Sequence, residues 1–95
     1  MLPKHRTATH PGEILLEDFL RPLGVTQVRL AAHLGVSLQR INEIVRGKRG
    51  VTAETAHLLG QALGTSPEFW MNLQVAHDLT RARPRKRLKP VRAAA

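Results

Sequence analysis

Residues 26–46 read TQVRLAAHLGVSLQRINEIVR, and this stretch predicts two short helices joined by a tight turn. Thr26 is placed to cap the first helix, and Gly35 provides the left-handed residue that ends it. Ser37 caps a second helix with apolar residues at helical spacing, and Gly47 ends that helix. A helix-turn-helix of this kind can place its second helix in the major groove of DNA. The stretch therefore predicts an all-α, DNA-binding domain.

The outer side of the second helix and the loop after it carry side chains that suit DNA. Gln39 can pair with adenine and Arg40 with guanine, while Asn42 and Arg46 can reach a base edge or the backbone. Glu43 either accepts from a cytosine amino group or faces one of its arginine neighbours. For each residue the alternative is a solvated helix face. With phosphate contacts at the helix starts and in the loop included, the predicted DNA-binding set is Gln27, Ser37, Leu38, Gln39, Arg40, Asn42, Glu43, Arg46, Lys48 and Arg49.

The positive charge of the chain is unevenly placed. The 95 residues hold 15 Lys and Arg against 7 Asp and Glu, which gives a net charge of +8. Residues 83–95 hold six of the positive charges, no acid and two prolines, a composition typical of disorder. The predicted helix-turn-helix is also basic, whereas Glu13, Glu17 and Asp18 gather near the start. This distribution favours a polyanionic partner over the alternative of an ordinary uneven surface.

Helical segments also precede and follow the motif. The first begins at Pro11, and Pro22 is expected to stop it near Leu20, because proline cannot continue a helix. Thr52 caps a fourth helix with apolar residues along one side, and Gly64 closes it. These boundaries follow from local capping and breaking residues alone.

A fifth helix is predicted from Ser66 to about Arg81, and its apolar residues spread over more than one face. A small monomer cannot bury so wide an arc, so the helix predicts a self-association surface, most simply in a two-fold dimer. The alternative is that Phe69 and Trp70 complete the core. The predicted dimer residues are Phe69, Met71, Leu73, Val75, Ala76 and Leu79.

Together these segments predict one small domain with irregular ends. Five helices occupy residues 10–82, a flexible arm precedes them at residues 1–9, and the basic disordered tail follows at residues 83–95. No segment shows the alternation of a strand.

Several kinds of site are excluded by the sequence. Without cysteine there is neither a disulfide nor a thiolate metal site. The five histidines lack the spacing of metal ligands and are expected to be solvated or to cap helices. No nucleophile has a partner, and the adjacent Glu17 and Asp18 project in different directions, so we predict no catalytic residue, metal or cofactor. No apolar run suits a signal peptide or a membrane span, and we expect a cytoplasmic protein.

Several strings in the chain resemble the HigA family of antitoxins, within the broader set of Xre/Cro-type helix-turn-helix repressors. The string GTSPEFWMNLQ at residues 64–74 is the most specific of them. The resemblance covers about residues 10–82. The other strings that carry it are HPGEIL at 10–15, GVS at 35–37, INEI at 41–44 and GKRGVT at 47–52.

The resemblance implies a lambda-repressor-like fold, a homodimer formed through the C-terminal region, and binding to double-stranded operator DNA upstream of its own operon. It also implies a partner, a small basic RelE-like toxin of the HigB type that cleaves mRNA on the ribosome. In such a type II toxin–antitoxin module the complex represses its own transcription. Glu13, Glu17 and Asp18 are the expected electrostatic match for a basic toxin.

Two features depart from the family pattern. Leu38 stands where a polar residue is common, and it could contact a thymine methyl group instead. The basic tail is expected to add non-specific DNA affinity or, as an alternative, to contact the toxin. A stand-alone repressor without a toxin, and a protein-interaction module that has lost DNA binding, are the competing interpretations.

Overall fold

Five helices and no strand make up the part of the chain that the computed structural model describes, residues 6–92. This confirms the predicted all-α fold. None of these helices combines the length and apolar character needed to cross a membrane. We name the helices α1 (Pro11–Ile14, Leu15–Leu20 and Arg21–Leu23 in continuous sequence), α2 (Gln27–Leu34), α3 (Leu38–Val45), α4 (Ala53–Leu63) and α5 (Pro67–Arg81).

Hydroxyl caps start the four later helices, as the sequence predicts. The side chains of Thr26, Ser37, Thr52 and Ser66 each accept a hydrogen bond from the backbone N–H three residues later, at 3.1, 3.1, 3.3 and 3.1 Å. Such caps satisfy backbone donors that a helix leaves unpaired at its first turn. At the end of α2, Gly35 has a φ of 73°, the left-handed conformation predicted for it.

The predicted end of α1 near Leu20 is wrong. The helix continues through Pro22 and ends at Gly24, which has a φ of 65°. Its middle section is a π-helix, in which the N–H of Arg21 donates to the carbonyl of Leu16, five residues earlier. The α-helical ladder restarts after this wider turn, so Pro22 lies at the beginning of a new turn, where a missing N–H is tolerated.

Trp70 of α5 is the largest fully buried side chain and lies at the centre of the core. Leu15, Leu20, Ile41 and Leu59, from the three helices α1, α3 and α4, are buried with it. The indole N–H of Trp70 donates to the hydroxyl of Thr65 at 2.7 Å, so its polar atom is also satisfied. The core therefore holds α5 against α1, α3 and α4.

The segment before α1 is attached to α5 at one point. The N–H of Ala8 donates to Thr80 Oγ1 at 2.7 Å, and His77 Nδ1 donates to the Ala8 carbonyl at 2.9 Å. Residues 1–5 of the predicted arm at residues 1–9 lie outside the described residues, as do residues 93–95 of the predicted tail. Residues 83–92 form neither helix nor strand and are exposed throughout.

Candidate nucleic-acid interface

Helix α3 has one buried side and one exposed side. Ile41 and Ile44 are fully buried in the core, three residues apart. Leu38 and Gln39 therefore lie on the outside at the first turn, where the Leu38 side chain is 47% exposed. The buried pair fixes which side chains α3 can present to a partner.

Gln39, Arg46 and Lys48 are the predicted DNA contacts that remain free. All three are exposed, and their side chains make no hydrogen bond or ion pair within residues 6–92. An amide near the start of α3 and two cations near its end can meet base edges and phosphates without breaking internal contacts.

Arg40 is held against α4 instead of projecting from α3. Its Nη2 donates to Glu54 Oε1 at 3.3 Å and to the hydroxyl of Thr55. The side chain is only 23% exposed. The structure therefore does not place Arg40 with the outward-facing residues, although the sequence predicts a guanine or phosphate contact for it.

Gln27 and Asn42 contact each other across the turn. Asn42 Nδ2 donates to Gln27 Oε1 at 3.2 Å, and both side chains are half-buried. The bond joins the first turn of α2 to the middle of α3 and so fixes the angle between the two helices. The side-chain Nε2 of Gln27 and the side-chain Oδ1 of Asn42 stay available to a ligand.

Glu43 binds the loop that follows α3. Its Oε1 accepts from Arg49 Nε at 3.0 Å and lies 2.8 Å from Arg49 Nη2. The sequence left Arg40 or Arg46 as its possible ion partners, and neither is correct, because the loop folds back onto the helix end. The Glu43 carbonyl also accepts from the backbone of Lys48 and Arg49, at 2.8 and 3.2 Å.

Gln74 of α5 is a positioning residue that the sequence analysis missed. It is buried, its Oε1 accepts from the N–H of Val51 at 2.7 Å, and its Nε2 donates to Asp78 Oδ1 at 2.9 Å. One side chain thus ties the loop after α3 to α5. The sequence signal for it was a polar residue four positions after Trp70, on the side of α5 that faces the core.

The start of α1 presses directly on α3. Gly12 lies so close that a Cβ on it would be 1.7 Å from the Ile44 carbonyl oxygen. Just before it, His10 Nδ1 accepts from the N–H of Gly12 at 2.8 Å and caps the helix. Burial lowers the pKa of His10 below its ordinary 6.5, the positive charges of His77 and Arg81 lower it further, and Asp78 opposes them. A neutral His10 suits a cap that must accept a hydrogen bond at Nδ1.

The residues predicted for the dimer interface differ in their exposure. Val75 and Leu79 are 49% and 56% exposed and lie four residues apart on one side of α5. Phe69 lies at the edge, with its ring against Trp70. Three others, Met71, Leu73 and Ala76, are half-buried.

The acidic residues near the start lie on the outside of α1. Glu13, Glu17 and Asp18 are all exposed. Glu17 lies 3.2 Å from Arg21 in an ion pair within the helix, whereas Glu13 and Asp18 have no such partner within residues 6–92.

Comparison with known proteins places this geometry in a family. A family model described as helix-turn-helix matches residues 16–70, which include α2, α3 and the loop after them. Virulence-associated protein I of Dichelobacter nodosus is 51% identical over 75 residues, which are 79% of this chain and 69% of that protein. Antitoxin HigA-1 of Vibrio cholerae is 44% identical over 75 residues, which are 78% of this chain and 70% of that protein.

A solved structure supports the same assignment. The Pseudomonas aeruginosa antitoxin HigA with the higBA promoter superposes with a TM-score of 0.77 at 44% identity, over 79% of this chain and 82% of that one. The match of fold and the match of sequence thus cover the same helical domain. The chain belongs to the HigA family of helix-turn-helix antitoxins.

Proposed function

We propose that this protein is an autoregulating antitoxin that binds operator DNA as a homodimer and neutralises a small basic RelE-like toxin in the cytoplasm. The observation that carries the DNA-binding part is the free, outward-facing set on α3 and its loop. The Pseudomonas aeruginosa relative, 44% identical, has a solved structure with its promoter. The proposal assigns no catalytic step to the chain.

Base reading is assigned to the first turn of α3. Gln39 is free to form a paired contact with adenine, and Leu38 beside it offers an apolar surface to a thymine methyl group. Arg46 and Lys48 lie further along and suit phosphates, which set position without reading sequence. Gln27, Ser37, Asn42, Glu43 and Arg49 support this surface by fixing the two helices and the loop.

The homodimer is assigned to the exposed side of α5. Val75 and Leu79 form an apolar pair that nothing within residues 6–92 covers. A two-fold axis beside α5 would bring the pairs of the two protomers together and bury both. We expect Val75→Asp with Leu79→Asp to give a folded monomer in sedimentation experiments. Leu23→Asp, at a position 59% exposed on α1, is the matched control and should stay dimeric.

The toxin contact is assigned to the acidic outer side of α1. Glu13 and Asp18 have no ion partner within residues 6–92, so a basic protein can meet them without displacing an internal cation. Reversing the charges of Glu13, Glu17 and Asp18 should abolish capture of the toxin. Glu68→Lys, a change at another exposed acid, on α5, should not.

Two measurements test the proposal. Tagged protein recovered from its native host should bring with it a stoichiometric small basic protein, and recovery of upstream DNA without one would indicate a stand-alone repressor. In titrations with upstream DNA, Gln39→Ala should cost about 1–3 kcal/mol and relax preference at one base pair. Unchanged affinity and preference would show that α3 is not the reading helix, and no binding by the unaltered protein would favour a protein-interaction module.

A further inference from the structure

The loop after α3 and the last turns of α5 enclose an open cleft of about 410 Å³. One wall is the loop, and the opposite wall is the side of α5 that faces the start of α1. The titratable side chains that line the cleft are His10, Lys48, Arg49, His77, Asp78 and Arg81.

Positive charge in this cleft exceeds negative charge. Arg49 is paired with Glu43 at 2.8 Å, but Lys48 and Arg81 make no ion pair within residues 6–92. The one carboxylate in the lining, Asp78, accepts a hydrogen bond from Gln74. The two unpaired cations at this cleft repel each other, and an anion bound between them would offset that repulsion.

The two walls of the cleft are fixed relative to α3. Both Lys48 and Arg49 donate from their backbone to the carbonyl of Glu43, which anchors the loop to the end of the helix. Val51 donates to the buried Gln74 at 2.7 Å, which anchors the same loop to α5. An anion held in the cleft would therefore have a defined position relative to the outward side of α3.

We propose that this cleft holds a backbone phosphate of the DNA that α3 contacts, with Lys48 and Arg81 as its two cationic ligands. The inference rests on the DNA-binding function proposed above and adds α5 to the interface, because Arg81 belongs to the helix assigned to dimerisation. Chain continuity supports it, since six further cations and no acid follow Arg81 in residues 83–92. The positive charge of the cleft thus continues along the chain beyond α5.

The test measures DNA binding by the full-length protein over a range of salt concentrations. Duplexes of about 30 base pairs, from the region upstream of the gene and of random sequence, allow for one or two half-sites. Arg81→Gln should weaken binding to both duplexes alike and make the salt slope shallower by about one for each bound protomer. Arg81→Lys keeps the charge and should retain most of the slope.

Arg29→Gln is the matched control, since Arg29 is an exposed arginine of α2 that lines a different hollow. It removes the same charge and should leave the slope unchanged. If Arg81→Gln changes the slope no more than Arg29→Gln, the cleft inference is wrong while the proposed function stands. If the unaltered protein binds neither duplex, the proposed function and the inference fail together.

A double-variant cycle tests whether one phosphate is shared. Lys48→Gln combined with Arg81→Gln should lower affinity by less than the sum of the two single changes, because the two side chains hold the same phosphate. Fully additive effects would show two separate contacts and overturn the shared site. If the cleft instead holds a free anion, inorganic phosphate at constant ionic strength should raise the midpoint of thermal unfolding of the protein, and Arg81→Gln should leave DNA binding intact. That result would also overturn the inference.

Discussion

Gly12 determines how closely α1 approaches α3. A Cβ at this position would lie 1.7 Å from the Ile44 carbonyl oxygen, a backbone atom that cannot turn away. Gly12→Ala should therefore separate α1 from α3 and destabilise the fold by about 3 kcal/mol, near the upper end for overpacking. Urea unfolding measures the free energy, and DNA affinity should fall with it.

Gly24→Ala separates this effect from the general cost of replacing a glycine. Gly24 has a φ of 65° and open space around it, so alanine there meets only backbone strain of about 1–2 kcal/mol. An equal destabilisation at the two positions would show that the contact with Ile44 does not limit the approach of α1.

His10 makes stability depend on pH because it caps α1 in its neutral form. The unfolded chain binds a proton at His10 near pH 6.5, while burial makes the folded chain do so only at lower pH. The free energy of unfolding is therefore at its full value above pH 6.5 and falls below it, by at most about 1.4 kcal/mol per pH unit. Unfolding by urea between about pH 7.5 and pH 5.5 measures this slope.

His10→Asn is the control for that slope. Asparagine can accept the same capping hydrogen bond and does not titrate. Stability of this variant should fall less steeply with decreasing pH than that of the unaltered protein. Parallel slopes would assign the pH dependence to the other histidines.

At the scale of elements, helix starts were predictable and one helix interior was not. Thr26, Ser37, Thr52 and Ser66 each act on a backbone N–H three residues away, so the local sequence contains the whole interaction. The sequence does not predict the π-helical turn at Leu15–Leu20, because Pro22 indicates the end of the helix, whereas the wider turn before it allows the helix to continue.

The candidate site shows the same division between local and distant interactions. The outward position of Gln39 follows from helical periodicity, and the sequence predicts it. Arg40 finds its partners 14 and 15 residues away on α4, and Glu43 finds Arg49 only because the loop turns back. Long charged side chains can reach several partners, and tertiary packing decides among them.

The contact between α5 and the loop after α3 depends on one amide. Gln74→Met keeps a side chain of similar length but leaves the Val51 N–H without its partner, which should cost about 1–3 kcal/mol. Urea unfolding measures this destabilisation. Gln61→Met makes the same change at an exposed position of α4 and should be nearly neutral. Equal effects of the two changes would mean that the loop is held by its other contacts alone.

At the scale of the whole molecule, charge is concentrated in a tail that lies outside the helical domain. Replacing Arg85, Lys86, Arg87 and Lys89 with glutamine should make the salt slope of DNA binding shallower by about 0.9 for each phosphate that the tail no longer neutralises. Exchanging the same arginines for lysine and lysines for arginine preserves charge and should preserve the slope. A slope that survives neutralisation, together with weaker toxin capture, would assign the tail to the toxin.

The bonds from Ala8 to His77 and Thr80 bring the beginning of the domain beside the end of α5. The order of the helices along the chain can therefore be changed without changing how the helices pack in space. A short linker from residue 82 to residue 8, with new ends opened at the exposed Gly24, would give a circular permutant that starts with α2 and finishes with α1. Such a chain would keep the turn between α2 and α3 uninterrupted and would display both new termini at one corner of the molecule.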